Sequence, residues 1–337
     1  MRHRDQSCAV YTAWPDPDND PMNRRIAFAC RVLALACSIV AAGAARAQDI
    51  KVTLLGTGTP APVMNRFGPS ILVEAGGRKF LFDAGRGALQ RLAQARVGWQ
   101  EVDAVYLTHL HSDHVVGLPD LWLVGWLTGM RNRPLAVVGP KGTVSMVSHL
   151  EQAFAFDIRM RILDEHASRE GVAVLARDIE EGIVYERDGL KITAFEVDHF
   201  PVVPAFGYRI DYRERSVVLS GDTRVSTNLV RHAQGVDLLI HEVVSPATFA
   251  RQGFAPETVR SRIDHHTTPE QAGEVFSRTK PRLAVYSHIG PPTANAADLL
   301  GPTRSSYDGR VEVGEDLMVI EIGEAAVNVR RPVRSGP

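Results

Sequence analysis

Short apolar runs alternate with glycine, proline and charged turn residues along most of the chain. This pattern predicts interleaved strands and helices. The expected strands are 50–55, 70–74, 79–82, 102–107, 183–185, 190–197, 206–212, 216–219, 238–240 and 283–286. Apolar residues at helical spacing predict helices over 87–95, 118–130, 141–161 and 270–278. Both halves alternate in this way without a Pro/Ser-rich linker. One α/β domain is therefore expected over residues 48–330, followed by a C-terminal tail, 331–337.

The densest polar group follows the strand predicted at 102–107. It places four metal-seeking side chains within six positions, at His109, His111, Asp113 and His114. His109 and His111 are two residues apart, so they face the same way in an extended chain. A turn at Ser112 directs Asp113 and His114 to a second position. The spacing therefore predicts a metal-dependent hydrolase with one metal on each side of this segment.

Further histidine and acidic residues follow predicted strands in the second half. Two sheets packed face to face with helices outside, a four-layer αββα sandwich, bring such strand ends to one edge. Asp222 follows an apolar strand and is placed to bridge two metals, although an aspartate there is ordinarily a turn or helix cap. The other candidates are His199, Glu242, His266 and His288. We interpret four other histidines of the domain as surface or structural residues: His149, His166, His241 and His265.

Trp122 and Trp126 lie four residues apart on one face of the helix predicted at 118–130. Packing in the core is one interpretation of this pair. The other is an apolar wall beside the metals, a substrate pocket for an aryl or alkyl group.

The amino-terminal segment does not fit the domain. Residues 22–47 combine Arg24 and Arg25, an apolar run and an Ala45-Arg46-Ala47 cleavage motif, which is typical of a secretory signal peptide. On this interpretation residues 1–21 come from a misplaced upstream start, and Met22 is the true first residue. Whether the chain begins at Met1 or Met22 stays open. An uncleaved anchor helix is the competing interpretation, and the export route, Sec or twin-arginine, stays open. Cleavage predicts a periplasmic or secreted protein without stable membrane association.

Composition narrows the chemistry. A formal net charge of −1 gives no case for a nucleic-acid or membrane partner. The three cysteines, Cys8, Cys30 and Cys37, all precede the predicted cleavage site. Thiolate ligands and cysteine nucleophiles are therefore excluded from the mature chain. Histidine and carboxylate must hold any metal, which favours zinc or another divalent ion.

The ordered set of motifs resembles the metallo-β-lactamase superfamily and, within it, the ribonuclease Z and arylsulfatase-like branch. The motifs that carry the resemblance lie at 55–60, 82–87, 109–114, 206–210, 220–223, 241–242, 266–268 and 287–288.

The resemblance implies a two-zinc site. One zinc takes His109, His111 and His199, and the other takes Asp113, His114 and His288, with Asp222 as the bridge. It also implies that Asp83 orients a ligand without binding metal. A hydroxide between the metals would be the nucleophile, and Asp113 would orient it. His266, polarised by Glu242, would protonate the leaving oxygen.

Two features depart from ribonuclease Z. Enzymes of that type that process transfer RNA usually carry a long arm between the 206–210 and 220–223 motifs, where this chain has only the nine residues 211–219. The signal peptide is the second departure. We therefore expect an exported dinuclear-zinc hydrolase of phosphodiester or sulfate ester bonds, with a small-molecule ester substrate and transfer RNA unlikely as a partner.

Several alternatives stay open at this point. They are a ribonuclease Z-type endonuclease, a lactone or thioester hydrolase, a di-iron oxidoreductase of the same fold, and a non-catalytic metal-binding module. A di-iron site would favour more carboxylate ligands than this segment offers, and a non-catalytic module would leave Glu242 and His266 without a role. The physiological metal and the oligomeric state, monomer or homodimer, also stay open.

Overall fold

The computed structural model describes residues 49–332, in which two β-sheets and their flanking helices form the fold. The first sheet has eight strands in the order β15-β14-β1-β2-β3-β4-β5-β6. Its strands are β1 (Ile50–Gly56), β2 (Ser70–Ala75), β3 (Arg78–Phe82), β4 (Ala104–Tyr106), β5 (Leu135–Gly139), β6 (Val174–Asp178), β14 (Val319–Ile322) and β15 (Val327–Arg330).

The second sheet has seven strands in the order β13-β12-β11-β10-β9-β8-β7. They are β7 (Gly182–Arg187), β8 (Leu190–Glu196), β9 (Phe206–Tyr212), β10 (Arg215–Leu219), β11 (Leu238–Val244), β12 (Leu283–Gly290) and β13 (Val311–Val313). The α-helices are α1 (Ala88–Gln94), α2 (Ser112–Val115), α3 (Leu118–Leu127), α4 (Thr143–Ala153), α5 (Ala155–Asp164), α6 (Arg169–Val172), α7 (Thr227–His232), α8 (Pro246–Arg251), α9 (Pro256–Ile263), α10 (Pro269–Thr279) and α11 (Ala296–Thr303), with a 3₁₀ turn at Trp99–Glu101.

Side-chain alternation along the strands builds the layers. In β3, Phe80 and Phe82 face the core between the two sheets, whereas Leu81 faces the helices outside the first sheet. In β11, Leu239 faces the helices outside the second sheet. Strands buried on both faces read as continuous apolar runs, as these do. The four-layer αββα arrangement expected from the sequence is confirmed.

Several predicted boundaries were wrong. The helix expected over 141–161 is two helices, α4 and α5, because Phe154 between them leaves helical geometry with φ −99° and ψ 7°. β11 continues to Val244 and β12 to Gly290, so the motifs at 241–242 and 287–288 lie within strands, not after them. The prediction also omitted β5, β6 and the three strands after residue 310.

The predicted upstream segment and signal peptide, 1–21 and 22–47, lie outside the described residues. Of the predicted tail only Arg331 and Pro332 are described, and Arg331 forms ion pairs with Glu312 and Glu315. Within residues 49–332, no helix combines the length and the apolar character that crossing a bilayer requires.

Candidate metal centre

The segment after β4 carries the densest group of candidate ligands. His111 precedes the one-turn helix α2, on which Asp113 and His114 lie. His109 is fully buried and His111 is exposed, so the segment runs from the core to the surface. Asp113 and His114 are buried. The short helix supplies the turn that separates the two pairs of side chains.

Tertiary folding adds three side chains from the second sheet. The potential ligand atoms of His109, His111, His199 and Asp222 all lie within 4.8 Å of one another. Those of Asp113, His114 and His288 form a second group under the same limit. Asp222 Oδ2 lies 3.4 Å from His114 Nε2 and 3.3 Å from His288 Nε2, so this carboxylate connects the two groups. All seven side chains predicted as ligands therefore converge.

Distances within the groups match a four-coordinate metal. Ligands about 2.0–2.1 Å from a tetrahedral zinc are about 3.3 Å from one another. His111 Nδ1 lies 2.9 Å from His109 Nε2 and 3.4 Å from His199 Nε2. In the other group, Asp113 Oδ2 lies 3.3 Å from His288 Nε2 and 3.7 Å from His114 Nε2. Both groups fit a divalent metal ion.

Neighbouring groups fix the orientation of the imidazoles. Asp83 Oδ2 lies 2.8 Å from His114 Nδ1, and Asp83 Oδ1 accepts a hydrogen bond from the Thr108 backbone N–H at 2.8 Å. His199 Nδ1 donates to the backbone carbonyl of His265 at 2.9 Å. Holding one ring nitrogen in this way aims the other at the metal position. Asp83 has a φ of 59°, a left-handed conformation that functional sites often hold. The role predicted for Asp83 agrees with this geometry.

Unpartnered buried atoms provide an independent test of the metal interpretation. His114 Nε2 and Asp222 Oδ1 are buried and make no hydrogen bond within the described residues. A buried polar atom without a partner is costly, and a metal ion would satisfy both atoms.

The electrostatics agree with a cationic occupant. Burial lowers the pKa of His109 well below its ordinary value and that of His199 to about 4, so both imidazoles are neutral at pH 7. Burial opposes ionisation of Asp222, but the imidazoles of His288 and His114 hold its pKa well below its ordinary value. Burial also opposes protonation of His114 and His288, but Asp222 raises the pKa of both imidazoles, so protons there balance the carboxylate where a divalent metal would otherwise do so.

A β-bulge places His288. In the parallel pairing of β11 and β12, Glu242 is opposite Ser287 and Val243 is opposite Ile289, so His288 is the extra residue. Its φ of 43° is left-handed. The bulge turns the His288 side chain towards the ligands while Ile289 returns to the outer core.

Glu242 and His266 form a pair beside the ligand groups. His266 Nδ1 lies 3.2 Å from Glu242 Oε1, which also accepts the Thr267 backbone N–H at 2.9 Å. The His266 ring lines the cavity over the ligands. Burial lowers the pKa of His266 to about 4, and burial together with Asp222 raises the pKa of Glu242 well above its ordinary value. The distance allows Glu242 to support His266, whereas both pKa shifts favour the uncharged forms of the two groups, so the proton-donor role stays a prediction.

The cavity over the ligand groups has a volume of about 310 Å³. Its lining includes Asp222 and His288 at one side and three residues of the segment after β11, Phe249, Arg262 and His265, at another. Sequence reasoning missed these three. His265 was interpreted as structural, and its pairing with the adjacent His266 was the only available indication that it lies near the site.

The interpretation of Trp122 and Trp126 as a substrate wall is wrong. Both indoles are 2% exposed, and each Nε1 donates to a backbone carbonyl, that of Val172 at 2.7 Å or that of Ser168 at 2.8 Å. Neither residue lines the cavity over the ligands. The alternative interpretation, packing in the core, is correct.

Three of the histidines interpreted as surface or structural residues occupy such positions. His149 and His166 are exposed. His241 is fully buried, its Nδ1 donates to the Glu242 carbonyl at 2.7 Å, and its ring packs against Phe276.

Comparison with known proteins identifies the family. A family model described as beta-lactamase superfamily domain matches residues 78–289. A curated relative, ribonuclease Z of Mycolicibacterium gilvum, is 37% identical over 279 residues, covering 81% of this chain and 96% of the relative. The chain belongs to the metallo-β-lactamase superfamily. It is a metallo-hydrolase of that fold, with histidine and aspartate groups arranged for divalent metal.

Solved structures agree on the metallo-β-lactamase fold. The metallo-β-lactamase fold protein YhfI of Bacillus subtilis superposes with a TM-score of 0.61 at 19% identity, covering 80% of this chain and 98% of that protein. The short form of human tRNase Z gives a TM-score of 0.60 at 22% identity, covering 81% of this chain and 99% of that protein. These likenesses concern the fold alone.

Proposed function

We propose that the protein is a two-zinc phosphodiesterase of the ribonuclease Z type that hydrolyses phosphodiester bonds in RNA. The observation that carries the proposal is the relative named ribonuclease Z, which is 37% identical over 96% of its own length. The family model independently matches residues 78–289, a range that contains the ligand groups and the Glu242–His266 pair.

The short hairpin between β9 and β10 no longer argues against RNA. Only Arg213 and Glu214 separate the two strands. The alignment with the M. gilvum enzyme spans 279 positions and includes 81% of the 337 residues, about 273. Within the aligned span, at most about six positions of that ribonuclease Z can therefore lack a counterpart, which leaves no room there for a long arm. The expectation that transfer RNA is an unlikely partner loses its main support.

The chemistry assigns a task to each group of side chains. Metal ions held by the two ligand groups would supply Lewis acidity towards a phosphoryl oxygen and a more acidic water at neutral pH. His266 faces the cavity and would give a proton to the leaving oxygen. Glu242 Oε1 lies within hydrogen-bonding distance of His266 Nδ1 and, when ionised, would stabilise the imidazolium form that carries this proton. Asp83 and the His265 carbonyl keep His114 and His199 oriented.

The test is a substrate panel with the purified full chain and two equivalents of zinc. The panel contains a fluorescent RNA oligonucleotide, a transfer RNA precursor, bis(p-nitrophenyl) phosphate, p-nitrophenyl sulfate and a lactone. We expect cleavage of RNA and of the aryl phosphodiester, and loss of both activities in EDTA. Cleavage of the sulfate ester or the lactone without any phosphodiester cleavage would refute the proposal.

Export is a separate proposal, supported by the composition of residues 22–47 alone. It predicts a mature chain that begins at Gln48 and is found in the periplasm or the medium. Fractionation of a Gram-negative host, followed by amino-terminal sequencing, measures both. A cytoplasmic chain that still begins at Met1 or Met22 would contradict it.

A further inference from the structure

One side of the cavity belongs to a segment that supplies none of the candidate ligands. The chain leaves β11 after Val244, forms the short helices α8 and α9, and returns at His266. We call residues 245–265 the flap. Phe249 of α8 and Arg262 of α9 both line the cavity that contains Asp222, His266 and His288.

Two aromatic rings hold Arg262 in place. Its guanidinium carbon lies 5.6 Å from the centre of the Phe249 ring and 5.2 Å from that of Phe254. The two rings contact each other edge to face at 5.4 Å. A cation over aromatic faces is attracted by their quadrupoles, so the guanidinium is positioned without any carboxylate.

The charge of Arg262 is uncompensated. Arg251, on the same flap, forms an ion pair with Asp298 at 2.6 Å. Arg262 has no such partner: among residues 49–332, no carboxylate lies within 4.0 Å of its guanidinium nitrogens. None of the hydrogen bonds found among these residues uses its N–H groups. Arg262 is exposed and lines the cavity, so its N–H donors are available to a ligand there.

A free guanidinium in a phosphodiesterase cavity has a specific chemical use. Guanidinium groups bind phosphate through paired N–H donors, and phenyl rings stack on nucleobases. The scissile phosphate must lie at the ligand groups, and Arg262 belongs to neither group, which leaves its guanidinium available for a second anion. We propose that Arg262 binds the phosphate next to the scissile bond in a polynucleotide and so favours RNA over substrates with one phosphate. This inference rests on the proposed function.

The experiment compares two substrates that differ in the second phosphate. In Arg262→Gln, kcat/KM for a fluorescent RNA oligonucleotide should fall about 10- to 100-fold, mainly through KM. Activity on bis(p-nitrophenyl) phosphate, which has a single phosphate, should change less than about twofold. The slope of log affinity against log salt should fall in magnitude by about 0.7, as expected for one lost contact to single-stranded nucleic acid. Arg262→Lys should retain part of the RNA activity.

Arg260→Gln is the matched control, because Arg260 is exposed on the same helix and does not line the cavity. Its kinetics on both substrates should equal those of the wild type. Melting temperatures of all variants separate a role in binding from a role in flap stability. Equal losses on both substrates, or an unchanged RNA activity in Arg262→Gln, would overturn the inference.

A binding measurement keeps this test independent of the proposed function. Fluorescence anisotropy of a labelled, hydrolysis-resistant phosphorothioate RNA on the zinc-loaded protein reports binding without cleavage, and Arg262→Gln should raise the dissociation constant while Arg260→Gln should not. If the wild type cleaves no phosphodiester, the proposed function fails. If the wild type cleaves RNA but the Arg262→Gln protein binds it equally well, only the inference on Arg262 fails.

Discussion

Asp316 offers a sharp test of how the loop before β2 is held. Its buried carboxylate accepts the Thr57 backbone N–H at 2.9 Å through Oδ1 and the Phe67 backbone N–H at 2.7 Å through Oδ2. Arg91 reaches Oδ2 from α1 at 2.9 Å, and the Arg91 side chain is only 11% exposed. One carboxylate therefore ties together the two ends of the 57–67 loop and a buried guanidinium.

Asp316→Ala removes all of these contacts at once. Breaking a buried ion pair by deleting one partner costs about 3–5 kcal/mol, because the other charge stays buried. The two orphaned backbone N–H groups add to the cost, whereas water entry beside partly exposed Phe67 reduces it. We expect a loss of about 4 kcal/mol in the free energy of unfolding. At about 2 °C per kcal/mol for a domain of this size, the melting temperature should fall by about 8 °C.

Urea unfolding of metal-saturated protein, followed by circular dichroism, measures this loss. Asp308→Ala is the matched control, since Asp308 is an exposed aspartate nearby, and it should change the free energy of unfolding by less than about 0.5 kcal/mol. The double variant Asp316→Ala/Arg91→Met removes the uncompensated charge and should recover part of the loss. A loss below about 1 kcal/mol in Asp316→Ala, or strict additivity in the double variant, would refute the reasoning.

There are three further predictions, of which two concern the metal centre and one concerns a helix cap. Asp222→Ala should lose metal and activity together, because this carboxylate connects both ligand groups. Elemental analysis measures the bound metal, and a phosphodiesterase assay measures the activity. His266→Ala should keep its metal and its melting temperature but lose about 10²- to 10⁴-fold in kcat, and a parallel loss of metal would contradict its assignment as proton donor. Hydrogen bonding to the Asn295 backbone N–H lowers the pKa of Asp298 at the start of α11. The ionised Asp298 carboxylate therefore stabilises the fold above about pH 4, and this stabilisation is lost as the pH falls through the pKa of the folded state. The difference in the free energy of unfolding between wild type and Asp298→Asn should accordingly shrink below about pH 4. A constant difference from pH 3 to pH 6 would contradict that assignment.

Local spacing was sufficient to predict the ligands of the first half. His109 and His111 alternate, and the turn after them separates Asp113 and His114, so the chain itself fixes their relation. Asp222 and His288 were placed by their position near strands. The αββα arrangement was predicted because His or Asp follows one strand after another in both halves, and two sheets with helices outside bring such strand ends to one edge.

The failures have identifiable physical reasons. The bulge that aims His288 depends on the pairing of β11 with β12, which no local pattern encodes. The break at Phe154 carries no glycine or proline, so helical periodicity ran through it. A short apolar run such as β5 fits a strand or a buried helix equally well. The Trp122–Trp126 spacing gave the correct helix face but not what packs against it, since both indoles bond to the segment around α6.

The way the flap is anchored bears on how proteins of this fold can acquire a new substrate preference. The chain leaves the site at Glu242 and returns at His266, and the base is closed by the Val244 N–H bonded to the Thr267 carbonyl at 2.9 Å and by the Thr267 N–H bonded to Glu242. The two ends of the excursion are thus fixed to each other independently of what lies between them. Lengthening a loop whose ends are already held costs little conformational entropy. Most of the flap, residues 245–264, is therefore an exchangeable segment. Insertion, deletion or grafting there can change substrate preference while the Glu242–His266 pair and the His265 carbonyl that orients His199 keep their positions.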